Sequence, residues 1–158
     1  MKKFFFDCGT RDATASFGLL ILRISIGLLL LLGHGLPKIQ NYSHLSIPGH
    51  FKVPDLFPFD HMSVQVSVIS LIVAEVGAAA LLILGLAGRP ASFVIGFAMV
   101  VAAFGTHGAD PWFLSPAGKG AKEPALLYLI PSITLLLTGA GRYSVDALVP
   151  ADKKRRKW

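Results

Sequence analysis

Two ionisable residues sit inside long apolar stretches of the chain: Arg23 and Glu75. A charge inside a membrane-spanning helix is costly unless it is paired or reaches water. A planar guanidinium matches a carboxylate in a two-pronged fashion. Arg23 and Glu75 are therefore expected to pair. With apolar spans at 16–36 and 63–86, a rise of 1.5 Å per residue puts Arg23 about 10 Å and Glu75 about 16 Å from one edge. A long Arg side chain closes the resulting gap of about 6 Å. Such a pair is either a strut that sets helix register or a polar site for a ligand, a proton or a quinone. Both readings need the same contact, so the residues alone leave them open.

Four further side chains extend this set. His34 lies 11 residues beyond Arg23, almost three whole helical turns, and Lys38 follows one turn later. His107 ends a third apolar stretch, with Gly96, Val100 and Ala103 on its face, and Glu123 opens a fourth. A carboxylate is stabilised at a helix N-terminus, which explains Glu123 as a cap. It would also lie at the outer mouth, beside His34 and His107. The expected site is a polar cleft open to the extracytoplasmic side. His34, Lys38, His107 and Glu123 would line it, with Arg23 and Glu75 at its floor. Gly27, Gly33, Gly35, Gly96 and Gly105 would leave the space. The competing expectation is a closed bundle in which each histidine is simply solvated. Arg23, Glu75, His34 and His107 are the candidate catalytic groups; Lys38 and Glu123 are candidate substrate contacts. Two histidines on facing helices are the minimum for bis-His haem and half of a zinc site. Neither haem nor metal is expected, and His44, His50 and His61 follow no zinc spacing.

The elements that must hold these groups read as spans at about 16–36, 63–86, 91–107 and 124–140. The first is long enough to cross roughly 30 Å of hydrocarbon. Arg23 and the lack of a small-residue cleavage site argue against a signal peptide. Four prolines in 37–62 forbid a long helix there, so a structured loop packed over the bundle is expected. Gly85, Gly88 and Pro90 make a tight turn around Arg89. Pro124 suits a first helical turn. Pro131, mid-span, should kink its helix, which bilayer helices tolerate. Phe4, Phe5 and Phe6 in the 1–15 segment, and Trp112 and Phe113, look interfacial.

Composition agrees. The chain of 158 residues is 53% hydrophobic, with mean hydropathy +0.62 and only 15% charged residues. Soluble domains carry about 25%. The net charge of +6 is concentrated at Lys153–Lys157, a basic run that suits lipid headgroups and carries no nucleic-acid recognition fold. With four spans, one side holds Lys2, Lys3, Arg11, Arg89, Arg142 and the five terminal residues, ten in all. The other holds Lys38, Lys52, Lys119 and Lys122, four in all. The bias puts the 1–15 segment and the 149–158 tail in the cytoplasm, with the bundle at 16–148. The single cysteine, Cys8, excludes an intrachain disulfide. No phosphate loop, nucleophile elbow or dinucleotide fingerprint is present, which argues against a hydrolase or a nucleotide-driven transporter.

Three stretches carry a family likeness: LRISIGLLLLLGHGLPKI, AEVGAAALLILGLAGRPAS and GAGRYSVDAL. In their order and spacing, roughly over 16–147, the chain resembles the DoxX family of small bacterial membrane proteins. The resemblance implies an all-α polytopic membrane protein, a four-transmembrane-helix bundle of the bacterial inner membrane. Arg23, Lys38 and Glu75 match the family pattern. Members or relatives of the family are linked to thiosulfate oxidation coupled to quinone and to membrane complexes answering oxidative stress. The expectation is a subunit of a membrane redox complex that meets quinone or a small oxidisable substrate. It has no cofactor of its own, so a redox protein partner supplies the electrons; a homo-oligomer is also compatible. The alternative is a non-catalytic scaffold or a small-molecule permease.

Overall fold

A computed structural model describes residues 8–10, 12–114 and 120–148. Phe4–Phe6, expected at the interface, the basic run at 153–157, Arg11 and Lys119 lie outside the described residues. The described chain is helical, apart from loops and one isolated bridge between Pro48 and Phe51.

Four helices form the bundle. Helix α1 spans Ala13–Gln40, α2 Val64–Leu84 and α3 Gly88–Thr106, each long and apolar enough to cross a membrane. Helix α4, Glu123–Thr138, is apolar and 16 residues long, about 24 Å. It packs along α3 in the most extensive helix contact of the bundle. Large apolar side chains such as Phe17, Leu29, Val73, Phe93, Ile130 and Leu137 face outward. Covering the bundle's sides this way suits hydrocarbon, not water.

Local sequence sets the boundaries. Asp12 starts α1, its carboxylate accepting the Ala15 N–H at 2.7 Å. Ser63 caps α2, accepting from Val66. Gly85 ends α2 in the left-handed region at φ 67°. The Leu86 N–H then closes back on the Leu81 carbonyl at 3.0 Å, a Schellman turn. Pro131 sits within the helical run of α4.

One boundary departs from expectation. The first helix does not stop before Pro37 but continues to Gln40. A π turn over Leu31–Gly35 makes this feasible. Pro37 has no N–H to give, and in a regular helix its ring would clash with the carbonyl one turn back. The wider turn just before it loosens that packing. The rest of the 37–62 segment is a structured loop, with single turns at Tyr42–Leu45 and Phe59–His61. It packs on the bundle: the Asp55 N–H bonds the Gly105 carbonyl at 3.1 Å, and Gln65 reaches the Ser46 carbonyl.

The core is built from small residues. Ala78, Ala79, Ala91 and Ala103 are buried with Leu30, Leu82, Ile95 and Met99. Small side chains let helix backbones approach closely. At Gly27 an added Cβ would stand 2.5 Å from the Ile83 side chain and 3.2 Å from the Ala79 carbonyl. At Gly35 it would stand 3.0 Å from the Glu75 carbonyl. These two glycines are seams between α1 and α2, and they do not open the expected cleft.

Candidate functional site

The close approach at Gly35 sets the register of α1 against α2 and corrects the expected ion pair. Gly35 lies level with Glu75, and Arg23 lies twelve residues away along α1, about 18 Å along the axis. Arg23 and Glu75 therefore do not meet. The 6 Å estimate assumed that the start of α1 and the end of α2 lie flush at one plane. They do not: α1 begins at Ala13 and runs past Pro37.

Each charge has another partner. Lys38, one turn beyond His34, reaches Glu75, with Nζ donating to Oε2 at 2.6 Å. The Glu75 side chain is 5% exposed and that of Lys38 is 20% exposed. Arg23 is buried and turns to the opposite end of the bundle. Its guanidinium donates to the carbonyls of Ile83 at 3.2 Å, Leu82 at 3.5 Å and Tyr143. It thus caps the C-terminal end of α2, sharing the Leu82 carbonyl with the Gly85 N–H, and ties that end to the segment after α4.

Asp146 completes that end. It is buried, and its two oxygens accept the Ala87 and Gly88 N–H groups, both at 2.8 Å. Those N–H groups belong to the start of α3, where a carboxylate is doubly favoured, by hydrogen bonding and by the helix dipole. Sequence reasoning missed Asp146. The available signal was an acidic residue in the GAGRYSVDAL stretch, just after the last span.

The cavity lies at the other end, beneath the two long loops. It measures about 420 Å³. His34, Lys38, Glu75 and His107 all line it, as does Tyr128 of α4. The His34 ring meets the Tyr128 ring edge-on, centroids 5.5 Å apart. Phe51 from the first loop and Leu114 and Ala121 from the second close its upper walls. The expected cleft is thus present in part. Arg23 is not at its floor, and Glu123 is not in its wall: the Glu123 carboxylate accepts the Leu114 N–H at 2.9 Å and pins the second loop. Tyr128 was missed. It is the one tyrosine within the fourth apolar span, and a phenol there needs a polar neighbour.

Three π turns converge on this cavity. They are Leu31–Gly35 in α1, Val73–Ala78 in α2 and Ala102–Thr106 in α3. They carry His34, Glu75, Ala102 and Thr106 into its lining. A π turn holds one residue more than an α turn and re-aims the side chains that follow, and such turns are frequent at functional sites.

His107 is held from outside. Its Nδ1 donates to Asp110 Oδ2 at 2.7 Å. This bond, then the charges of His107, Lys52 and Lys122, keep the Asp110 carboxyl below the ordinary carboxylate range. Lys122 also stands over the Trp112 ring at 4.8 Å. His44 and His50 stack on each other in the first loop, ring centroids 4.3 Å apart, and His61 lies near Asp60; none lines the cavity. Among the described residues no three His, Cys, Asp or Glu side chains form a metal-sized cluster.

No curated protein and no solved structure matches the chain significantly. Residues 18–108 match the DoxX family. That stretch contains Arg23, His34, Lys38, Glu75 and His107, and it ends before α4 and the GAGRYSVDAL segment. With more than half of its 158 residues matched, this multi-pass helical membrane protein belongs to the DoxX family.

Proposed function

We propose that the chain is the membrane subunit of a redox complex, and that its cavity takes a quinone or a small oxidisable molecule. The observation that carries this reading is the Lys38–Glu75 pair facing the 420 Å³ cavity beside His34, His107 and Tyr128. A volume of that size lies within the range of small-molecule sites, roughly 300–1,000 Å³. In this reading Lys38 and Tyr128 donate to an oxygen of the substrate. Glu75 and the two histidines accept and pass on the protons that accompany its oxidation or reduction. A partner protein exchanges the electrons. In this reading the protein sits in a bacterial inner membrane with both termini in the cytoplasm, an orientation that the basic bias of ten residues to four supports. The cavity then lies toward the extracytoplasmic side.

A second reading has its own support. Lys38 and Glu75 satisfy each other, as do His107 and Asp110, which suits a scaffold whose polar groups only fix packing. Purification in mild detergent separates the two. Quinone extracted from the wild-type protein and lost from Glu75→Gln supports the redox subunit. A protein partner without quinone, unaffected by Glu75→Gln, rejects it in favour of the scaffold.

A further inference from the structure

Two cavities share a wall. Beside the polar cavity, a smaller one of about 170 Å³ lies in the seam between α2 and α3. Phe51, Leu71, Ala102 and Thr106 line both. The smaller cavity is apolar, walled by Ala74, Val94, Phe97 and Val101 and roofed by the first loop. Phe97 is 49% and Val94 39% exposed on the outer face of α3. The seam therefore opens sideways, where lipid surrounds the bundle, while the polar cavity lies behind it. The shared wall includes residues of the α3 π turn, where backbone departs from the helical repeat.

We propose that this seam is a lateral portal that holds the linear apolar chain of an amphiphile, with the amphiphile's head in the polar cavity. The proposal rests on the cavity being a ligand site, and it names the ligand's chemical class. The head is uncharged and hydrogen-bonding. Lys38 and Glu75 already neutralise each other, so a charged head would bring an unmatched charge into a largely desolvated site. A carbonyl or hydroxyl head meets the donors that Lys38 does not spend on Glu75. The tail is apolar because the seam offers it almost no polar partner. The route runs through the seam because a molecule dissolved in the bilayer reaches it without crossing water.

The test compares two probes on the full chain in lipid nanodiscs: a dimethoxy-methyl-benzoquinone head alone, and the same head with a decyl chain. Ser70→Trp fills the seam; Ser70 is exposed and lines the smaller cavity but not the polar one. Ala98→Phe, on the facing helix, serves as a second plug. Wild type is expected to bind both probes. Each plug is expected to weaken the decyl probe by about tenfold or more and to leave the bare head within about twofold. Plugs that weaken both probes equally, or neither, overturn the portal and leave the cavity reading standing. A wild type that binds neither probe overturns both.

Discussion

Removing one partner of the Lys38–Glu75 pair should cost unequal amounts on the two sides. Glu75 is the more enclosed, 5% exposed against 20% for Lys38. Lys38→Met strands a carboxylate in a nearly dry position, and breaking a buried pair this way costs about 3–5 kcal/mol. Glu75→Gln leaves an ammonium that still reaches the cavity, and it keeps an amide oxygen to accept from it. The cost there is about 1–3 kcal/mol, that of a weakened charged hydrogen bond. The double variant removes both charges and keeps both volumes, so its cost should fall well below the sum. The expected coupling is about 2 kcal/mol or more. Arg23→Ala combined with Glu75→Gln should instead be additive within about 0.5 kcal/mol, because Arg23 lies far along the bundle from Glu75. Reversible unfolding in mixed micelles measures all of these. Additivity in the Lys38–Glu75 cycle, or strong coupling in the Arg23–Glu75 cycle, would refute the register described above.

Three further outcomes follow from the same structure. Gly85→Ala should destabilise the protein by more than about 1–2 kcal/mol, since φ is positive there and the new methyl meets the Arg23 guanidinium; Gly33→Ala, which meets nothing, should not, by the same unfolding measurement. The His107–Asp110 bond depresses the Asp110 carboxyl, so its contribution is complete above the ordinary carboxylate range and is lost as pH falls through the depressed value; the wild-type advantage over Asp110→Asn in thermal stability should fade on that acid side alone. Reporter fusions after residue 148 and within 41–62 should fall on opposite sides of the membrane, with the C-terminal one cytoplasmic; a periplasmic C-terminal reporter reverses the orientation.

Much of the fold was legible because hydropathy marks bilayer helices directly. The four apolar helices, the glycine stop at Gly85 and the Pro124 start follow from residue type. The turn expected around Arg89 is confined to 85–87, with Arg89 and Pro90 already in α3, and the packed loop begins at Asn41 because α1 runs on to Gln40. The site was legible in part. His34, Lys38, Glu75 and His107 came together because each ends or interrupts an apolar run near the same end of the bundle. The pairing was not legible, for two physical reasons. Sequence marks where a helix is apolar but not how far one helix slides past its neighbour, and that slide is set at Gly27 and Gly35. A helical wheel also assumes an unbroken period, and three π turns break it at the level of the cavity.

The two buried charges of the apolar spans end in opposite situations, and that contrast bears on which one does chemistry. Arg23 gives its guanidinium to three backbone carbonyls and sits within the electrostatic reach of Asp146. Its terminal nitrogens join α2 to the segment after α4, and although its buried Nε–H has no hydrogen-bond partner among the described residues, Arg23 lines neither cavity. Among the described residues, Lys38 gives one hydrogen bond, and Glu75 is the group that accepts it. An ammonium has three donors and a carboxylate about four acceptor sites. The unused capacity of both lies beside an open volume, next to a phenol and two imidazoles. On the proposed reading Arg23 is the strut and Lys38–Glu75 the site, the two alternatives that residue spacing left open for a single pair.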